Sequence, residues 1–290
     1  MNQLLINGIC QGAAYGLIAA GFGLIIATSG VFHIAHASVC AFSAYAFCFF
    51  LNSISNNVFL AAFFALLVSS VLGIIIEATV YSTLRKKRSH DSVLLLASIA
   101  TLVILTNILS FSFGEKPKSL FFGEIPKFYF RDAFISYAQI TQILVFIIIG
   151  LLFYLFIKRT RFGILASAIS QNPALASILG IRIERIRLLS IAIGSAMGGA
   201  GFILLVSETG VDPNRGMNST VIAAVSCIIV GANRFIAPLG SALLLGILTS
   251  VLVFFIPAIW ISTLIYALLV ILLVIKPEGI LIKKGRFEEK

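Results

Sequence analysis

No Asp, Glu, Lys or Arg occurs before Glu77. An uncharged stretch of that length can be hidden from water in few ways, and a window of ~20 such residues already crosses ~30 Å of hydrocarbon as a helix. It is too long for one cleavable leader, and Met1-Asn2-Gln3-Leu4 supplies no basic n-region, so no signal peptide is expected. Comparable windows recur near 4–28, 31–51, 58–83, 92–113, 137–157, 188–206, 218–233, 236–256 and 259–275. The chain is therefore expected to be an all-α polytopic membrane protein of eight or nine transmembrane helices, a single membrane domain over 1–290. The windows at 31–51, which holds two histidines, and 218–233, which is short, are the candidates for broken or re-entrant elements. Composition agrees: 60% of residues are hydrophobic, 11% are charged and the mean hydropathy is +1.09.

Basic residues gather at Arg85–Arg88, between Lys158 and Arg187, and between Lys276 and Lys290. If these three clusters face the cytoplasm, fifteen of the 21 basic residues lie inside against five in the 114–136 and 207–217 loops, with Arg234 at a third inner turn. The positive-inside rule then places the C-terminus in the cytoplasm. The net charge of +10 follows from this bias and from anionic lipid headgroups, so the bilayer is an expected partner and nucleic acid is not.

The chain lacks the residue patterns of catalysis. It has no Gly-Lys dipeptide and hence no phosphate-cradling loop, so any ATP is expected to be used by another subunit and no cofactor by this one. Neither HExxH nor GxSxG is present, and no catalytic residue is assigned. Cys10, Cys40, Cys48 and Cys227 sit in apolar windows without CxxC spacing, which reads as packed thiols. His33 and His36, three apart with Cys40 at the next turn, are expected to form a hydrogen-bonded pair beside a helix break and no metal site.

Polar residues inside the apolar windows point to water or to a solute. Asn7, Gln11 and Tyr15 recur at i, i+4, i+8 and form one helical stripe, with Gly8, Gly12 and Gly16 one position later. The glycines allow a second helix backbone to approach. The polar stripe should face protein or a cavity, because lipid offers amides no partner, and it serves either interhelical bonding or a pathway. Glu77 is the acid well inside a window; it reads as a proton carrier, an ion pair with the basic cluster from Arg85, or a snorkelled side chain. Glu208 and Asp212 fall in a loop where solvated carboxylates need no special account. Between 231 and 246, Pro238 sits in the first turn of a helix, and Gly240 and Gly246 suggest close packing.

The segment from Thr160 to Gly180, TRFGILASAISQNPALASILG, interrupts the oil with defined local signals. Ile164, Leu165, Ala168 and Ile169 recur at amphipathic spacing opposite Ser167, Ser170 and Gln171. Asn172 followed by Pro173 reads as an N-cap plus proline at the first helical position, and Gly180 as the residue closing a second helix. Two capped helices flanked by basic residues suit a docking element for a partner, or an interfacial helix on headgroups.

This segment resembles the coupling segment of LivH/LivM-type permeases of branched-chain amino acid ABC importers: Thr160, Phe162, Gly163, Ala168, Asn172, Ala176, Gly180 and Ile181 match in register. Tyr15–Gly21, Phe32–Ala37, the turn 231–246 and Lys276-Pro277-Glu278-Gly279-Ile280 resemble further stretches of that family, in order along almost the whole chain. The departures are Ser167 for an arginine, His33 for an asparagine, Ala37 for a glycine, and Asn233-Arg234 within the glycine-rich turn. The resemblance implies a permease subunit in a bacterial inner membrane, working with a second similar permease, two cytoplasmic ATP-binding subunits and an external substrate-binding protein. It implies ATPase coupling through a cytoplasmic loop at about 158–187, at Arg161, Phe162, Gly163, Ala168, Asn172, Pro173, Ala176 and Gly180. The translocation path would run past Asn7, Gln11, Tyr15, His33 and His36. Family substrates include branched-chain amino acids, urea and short amides. The rival reading is a proton-coupled secondary transporter using Glu77 or the histidines, and a membrane scaffold ranks behind both.

Overall fold

The structure is a computed structural model that describes residues 2–118, 127–130, 133–231 and 233–275. Its helices are α1 (Asn2–Ser29), α2 (His36–Ser53) and α3 (Val58–Ile76), which continues through a π-helical turn (Glu77–Tyr81) into α4 (Ser82–Lys86), then α5 (Asp91–Phe113). After an antiparallel ribbon of β1 (Lys127–Phe130) and β2 (Ala133–Ser136) come α6 (Tyr137–Arg159), α7 (Arg161–Gln171), α8 (Pro173–Ile178), α9 (Ile183–Val206), α10 (Gly216–Val230), α11 (Ala237–Leu252) and α12 (Ala258–Ile275).

Each of the nine apolar windows holds a helix. Five are long and apolar enough to cross a bilayer: α1, the α3-to-α4 helix of 29 residues, α5, α6 and α9. The helices over 216–230, 237–252 and 259–275 are shorter apolar ones, and α2 begins at His36, five residues inside its window. The described residues are otherwise helical, as expected of an all-α membrane protein, and the short ribbon pairs Lys127 opposite Ser136 and Phe130 opposite Ala133. Its four-residue strands carry aromatic and β-branched side chains in runs too short for a span, and those residues favour pairing. The Lys276–Ile280 stretch and the basic cluster from Lys276 to Lys290 lie outside the described residues.

Small residues on α1 explain why it sits at the centre. Lipid tails are as apolar as leucine, so helices associate where their backbones can come close. A methyl group at Gly8 would stand 2.8 Å from the Ile247 Cα, and one at Gly12 would stand 2.6 Å from the Leu243 carbonyl oxygen. A methyl at Gly16 would meet the Leu239 oxygen at 3.1 Å. α11 therefore runs antiparallel along the glycine stripe. On another side α9 does the same, a methyl at Gly201 lying 2.6 Å from the Ala14 oxygen and one at Gly194 2.6 Å from the Gly21 oxygen. Of the expected pair in 231–246, Gly246 is in close contact and Gly240 is not: nothing lies within 4 Å of a methyl there. In consequence 78% of the apolar window of α1 and 67% of that of α9 are buried, against 17% for α5 and α6, which present their apolar faces outward.

The 31–51 window breaks as its composition suggested. After Ser29 the chain turns back along α1, so that Phe32 and His36 pack their rings 5.3 and 6.0 Å from Phe22. α2 thus starts beside the middle of α1 and not at its end.

Candidate functional site

Two cavities open at the N-terminal end of α1, one on each side of the predicted polar stripe. The larger, about 600 Å³, is lined by Asn7, Gln11 and Tyr15 together with Gln139 and Gln142 of α6, Asn218 of α10, and Glu208 and Arg215 of the α9–α10 connection. The smaller, about 320 Å³, shares Asn7, Gln11 and Tyr15 and is closed by α11 and α12. Tyr266 of α12 bonds Asn218 between them.

Amides hold the larger chamber's shape. Asn7 Oδ1 accepts from Gln3 Nε2 at 3.0 Å and from Gln139 Nε2 at 3.1 Å. Gln139 also completes a capping box with Ser136 at the start of α6. Gln142 Nε2 donates to the Leu204 carbonyl at 2.7 Å, while its buried Oε1 has no partner. Ser136 Oγ donates to Glu208. Arg215 is fastened through Nη1, which donates to the carbonyls of Thr209 and Gly210 at 3.0 and 2.9 Å, and through Nε beside Asp212 at 3.6 Å.

Three of the five predicted path residues, Asn7, Gln11 and Tyr15, are thus chamber walls. His33 and His36 are not: both are fully buried in the core and line none of the described cavities. Nor do they bond each other. Their rings stand 5.7 Å apart, and His33 Nδ1 shares a 2.7 Å hydrogen bond with the hydroxyl of Tyr81 on the π turn. The same turn presents Glu77, whose carboxylate is 3% exposed and ion-paired with Arg85. In a regular α-helix residues eight apart are offset by about 80°, and the wider i→i+5 turn lessens that offset and brings Arg85 into line with Glu77. Arg187 and Glu184 of α9 act on the Arg85 charge, and Arg187 Nε donates to the Thr28 carbonyl at 3.2 Å. One charged knot therefore joins the end of α1, the α3–α4 helix and the first turns of α9.

At that end of the molecule lie α7 and α8. Thr160 caps α7, its Oγ1 accepting from Gly163 N–H at 3.4 Å, and Asn172 caps α8, its Oδ1 accepting from Leu175 N–H at 3.0 Å with Pro173 next. Gly180, at φ +78°, closes α8: its N–H donates to Ser177 and that of Ile181 to Ala176, the two bonds of a Schellman motif. Gly163 lies against the Ile157 carbonyl, where a methyl group has no room. Phe162 stacks near Phe156, centroids 5.2 Å apart. Asn172→Ala and Gly180→Ala should each loosen α8 by about 1 kcal/mol, read as faster amide exchange across 173–181 with no change at α1.

The buried face of α7 corrects the amphipathic reading. Gly163, Ala166 and Ile169 are buried, whereas Ile164 is 67% exposed. Gly163 lets the helix backbone settle on α6 and Ile164 is left outward, while Ile169 is buried and Phe162 and Leu165 pack partly against the same core. Ile164, Ala168, Leu175, Leu179 and Phe235 then line an open groove of about 620 Å³ with Ser167 and Asn172 at its rim. Ala176 is buried beneath it. Arg161 and Pro173 are exposed and are not among the residues that line it.

Sequence reasoning missed Gln139, Gln142, Glu208, Arg215 and Asn218 as chamber residues. The two glutamines sit one helical turn apart near the start of an otherwise apolar window, which is the signal that was available.

Residues 4–274 match the family described as the branched-chain amino acid transport system, permease component. The chain belongs to that family. It is accordingly a multi-pass membrane permease and not an enzyme, and its family works with ATPase and substrate-binding partners. The high-affinity branched-chain amino acid transport system permease protein BraD of Pseudomonas aeruginosa is 26% identical over 293 residues, covering 96% of this chain and 95% of its own. LivH of Escherichia coli K12 is also 26% identical, with 96% and 94% covered. The probable branched-chain amino acid transport permease protein LivH of Methanocaldococcus jannaschii is 26% identical over 81% of this chain and 76% of its own. In fold the permease is similar to a chain of PsaBC from Streptococcus pneumoniae, solved in complex with Fab, at a TM-score of 0.52 and 15% identity over 93% of this chain and 91% of that one.

Proposed function

We infer that this permease is the membrane subunit of an ABC importer for amino acids, branched-chain ones first, in the inner membrane of a bacterium. The observation that carries the reading is the apolar groove on α7 and α8, solvent-facing in a loop whose every end is capped. Exposed Ile164, Leu175, Ile178 and Leu179 are costly to leave wet and suit a protein partner. The partner is a cytoplasmic ATP-binding subunit, two per complex, each meeting one of a pair of similar permeases. The basic clusters around Arg85 and Arg161 then face the cytoplasm, and the polar chamber faces the external substrate-binding protein. No ATP or other cofactor is held by this chain.

Closure of the motor pair pushes α7 and α8. Because α8 passes through Gly180 directly into α9, and the first turns of α9 are tied to the end of α1 and to Arg85, the push reaches the two buried central helices together. The chamber at the far end of those helices opens or narrows in response. Glu77, being ion-paired and away from the cavities, gives proton coupling no support.

The test is co-purification with the ATP-binding subunit. Wild type should hold it; Ile164→Asp with Leu175→Asp, both exposed and therefore harmless to the fold, should lose it by more than about tenfold, since a charge stranded in an apolar contact costs several kcal/mol. Gly163→Asp with Asn172→Lys should lose it too, by collapsing the loop. A folded wild-type chain that never retains an ATPase would refute the importer reading.

A further inference from the structure

We propose that the chamber at the N-terminal end of α1 is a binding site for the charged ends of a zwitterionic α-amino acid, with Glu208 taking the ammonium and Arg215 the carboxylate, and that it does not read the side chain. The proposal rests on the importer reading and goes beyond it, because it assigns the permease its own substrate contact and excludes urea and simple amides.

The walls carry both signs of charge around one cavity of about 600 Å³. Glu208 accepts from Ser136 through Oε1, which leaves Oε2 for a cation. Arg215 spends Nη1 on two carbonyls and Nε on Asp212, and Nη2 remains. That pinning fixes the guanidinium in one orientation, so little side-chain entropy is lost when an anion arrives. Gln142 lines the same chamber and is held there by the Leu204 carbonyl, to which its Nε2 donates at 2.7 Å. The free carboxylate oxygen of Glu208 and the remaining Nη2 of Arg215 answer the two charges of an α-amino acid, and an uncharged amide satisfies neither. Large apolar side chains are few: Leu205 and Phe134, with Cys10 and the ring of Tyr15, stand among polar walls. Recognition of one branched side chain needs a dedicated apolar pocket, so choice among neutral amino acids falls outside this chamber.

The experiment uses the intact complex of permeases and ATP-binding subunits in nanodiscs, without the binding protein, and reads saturation-transfer NMR at millimolar ligand. L-leucine and L-alanine should both give signal and compete. Isopentylamine and 4-methylpentanoate, each lacking one charge, should give little, as should urea. Glu208→Gln, which keeps an acceptor for Ser136, should weaken leucine by at least about tenfold, the scale of one charge-assisted hydrogen bond. Arg215→Gln should do the same, and if it fails to fold the Glu208 variant decides alone. Equal binding of urea and leucine, leucine binding unchanged in Glu208→Gln, or no leucine signal would each overturn the proposal. In those cases ATPase co-purification still reports separately on the importer reading.

Discussion

Arg85→Ala should leave almost no folded permease, a loss of about 3–5 kcal/mol, because it strands a carboxylate that the fold cannot hydrate. Glu77 is 3% exposed, its Oε2 already lacks a hydrogen-bond partner, and Arg85 supplies its charge compensation. Arg187 and Glu184, the other charges acting on Arg85, are engaged at the start of α9. Removing both charges should reverse the loss: Glu77→Gln with Arg85→Met should return to wild-type yield and melting temperature, since replacing a buried pair by well-packed neutral groups is often neutral or stabilising. The double variant also separates two mechanisms. In an ATP-driven importer it should retain uptake, whereas a proton carrier would lose transport with every Glu77 substitution, however well folded. Fluorescence-detected size exclusion for folding and proteoliposome uptake at fixed ATP read the two outcomes.

What could be read along the chain was what the chain encodes locally. The spans were legible because hydrocarbon thickness and the cost of charge are properties of short windows, and the caps at Asn172 and Gly180 because they are formed by neighbours in sequence. The glycine stripe of α1 announced a close helix crossing but not which helix would fill it. The buried face of α7 was misread for a related reason: Gly163 and Ala166 bury themselves through backbone approach, so a pattern that counts large apolar residues chose Ile164. The chamber was half visible. Asn7, Gln11 and Tyr15 share a helix, but the bond from Gln139 to Asn7 spans 132 residues, and nothing in a loop sequence distinguishes Glu208 in a chamber from a solvated acid. The partnership of His33 with Tyr81 across 48 residues was hidden likewise, and it took the π turn, which no composition signal marks, to bring them together.

Gly246→Leu should abolish assembly of the bundle while Gly240→Leu, on the same helix, leaves it intact. At Gly246 an added side chain meets the backbone of Gly12 and the Gly8 carbonyl oxygen, 3.0 Å away. No rotamer relieves a clash with main chain, so α1 and α11 must separate, and the cost lies at or above the top of the overpacking range, about 3 kcal/mol or more. Separation also forfeits the contacts of Gly8 and Gly12 along the whole crossing, because small-residue packing is what holds apolar helices together in lipid. At Gly240 nothing lies within 4 Å of a new Cβ and the site is exposed. Leucine there also gains about 0.8 kcal/mol of helix propensity over glycine, so neutral to slightly higher stability is expected. The contrast carries to function through α1. Asn7 and Gln11 project from the turns that bear Gly8 and Gly12, so any shift of α11 away from the stripe displaces the wall shared by both cavities. The smaller change Gly12→Ala places one methyl 2.6 Å from the Leu243 oxygen. It should yield protein that folds with a lowered melting temperature, retains the ATP-binding subunit through the distant α7–α8 groove, and transports poorly. Normal transport by Gly12→Ala would mean that the chamber wall tolerates displacement and that the crossing matters for assembly alone.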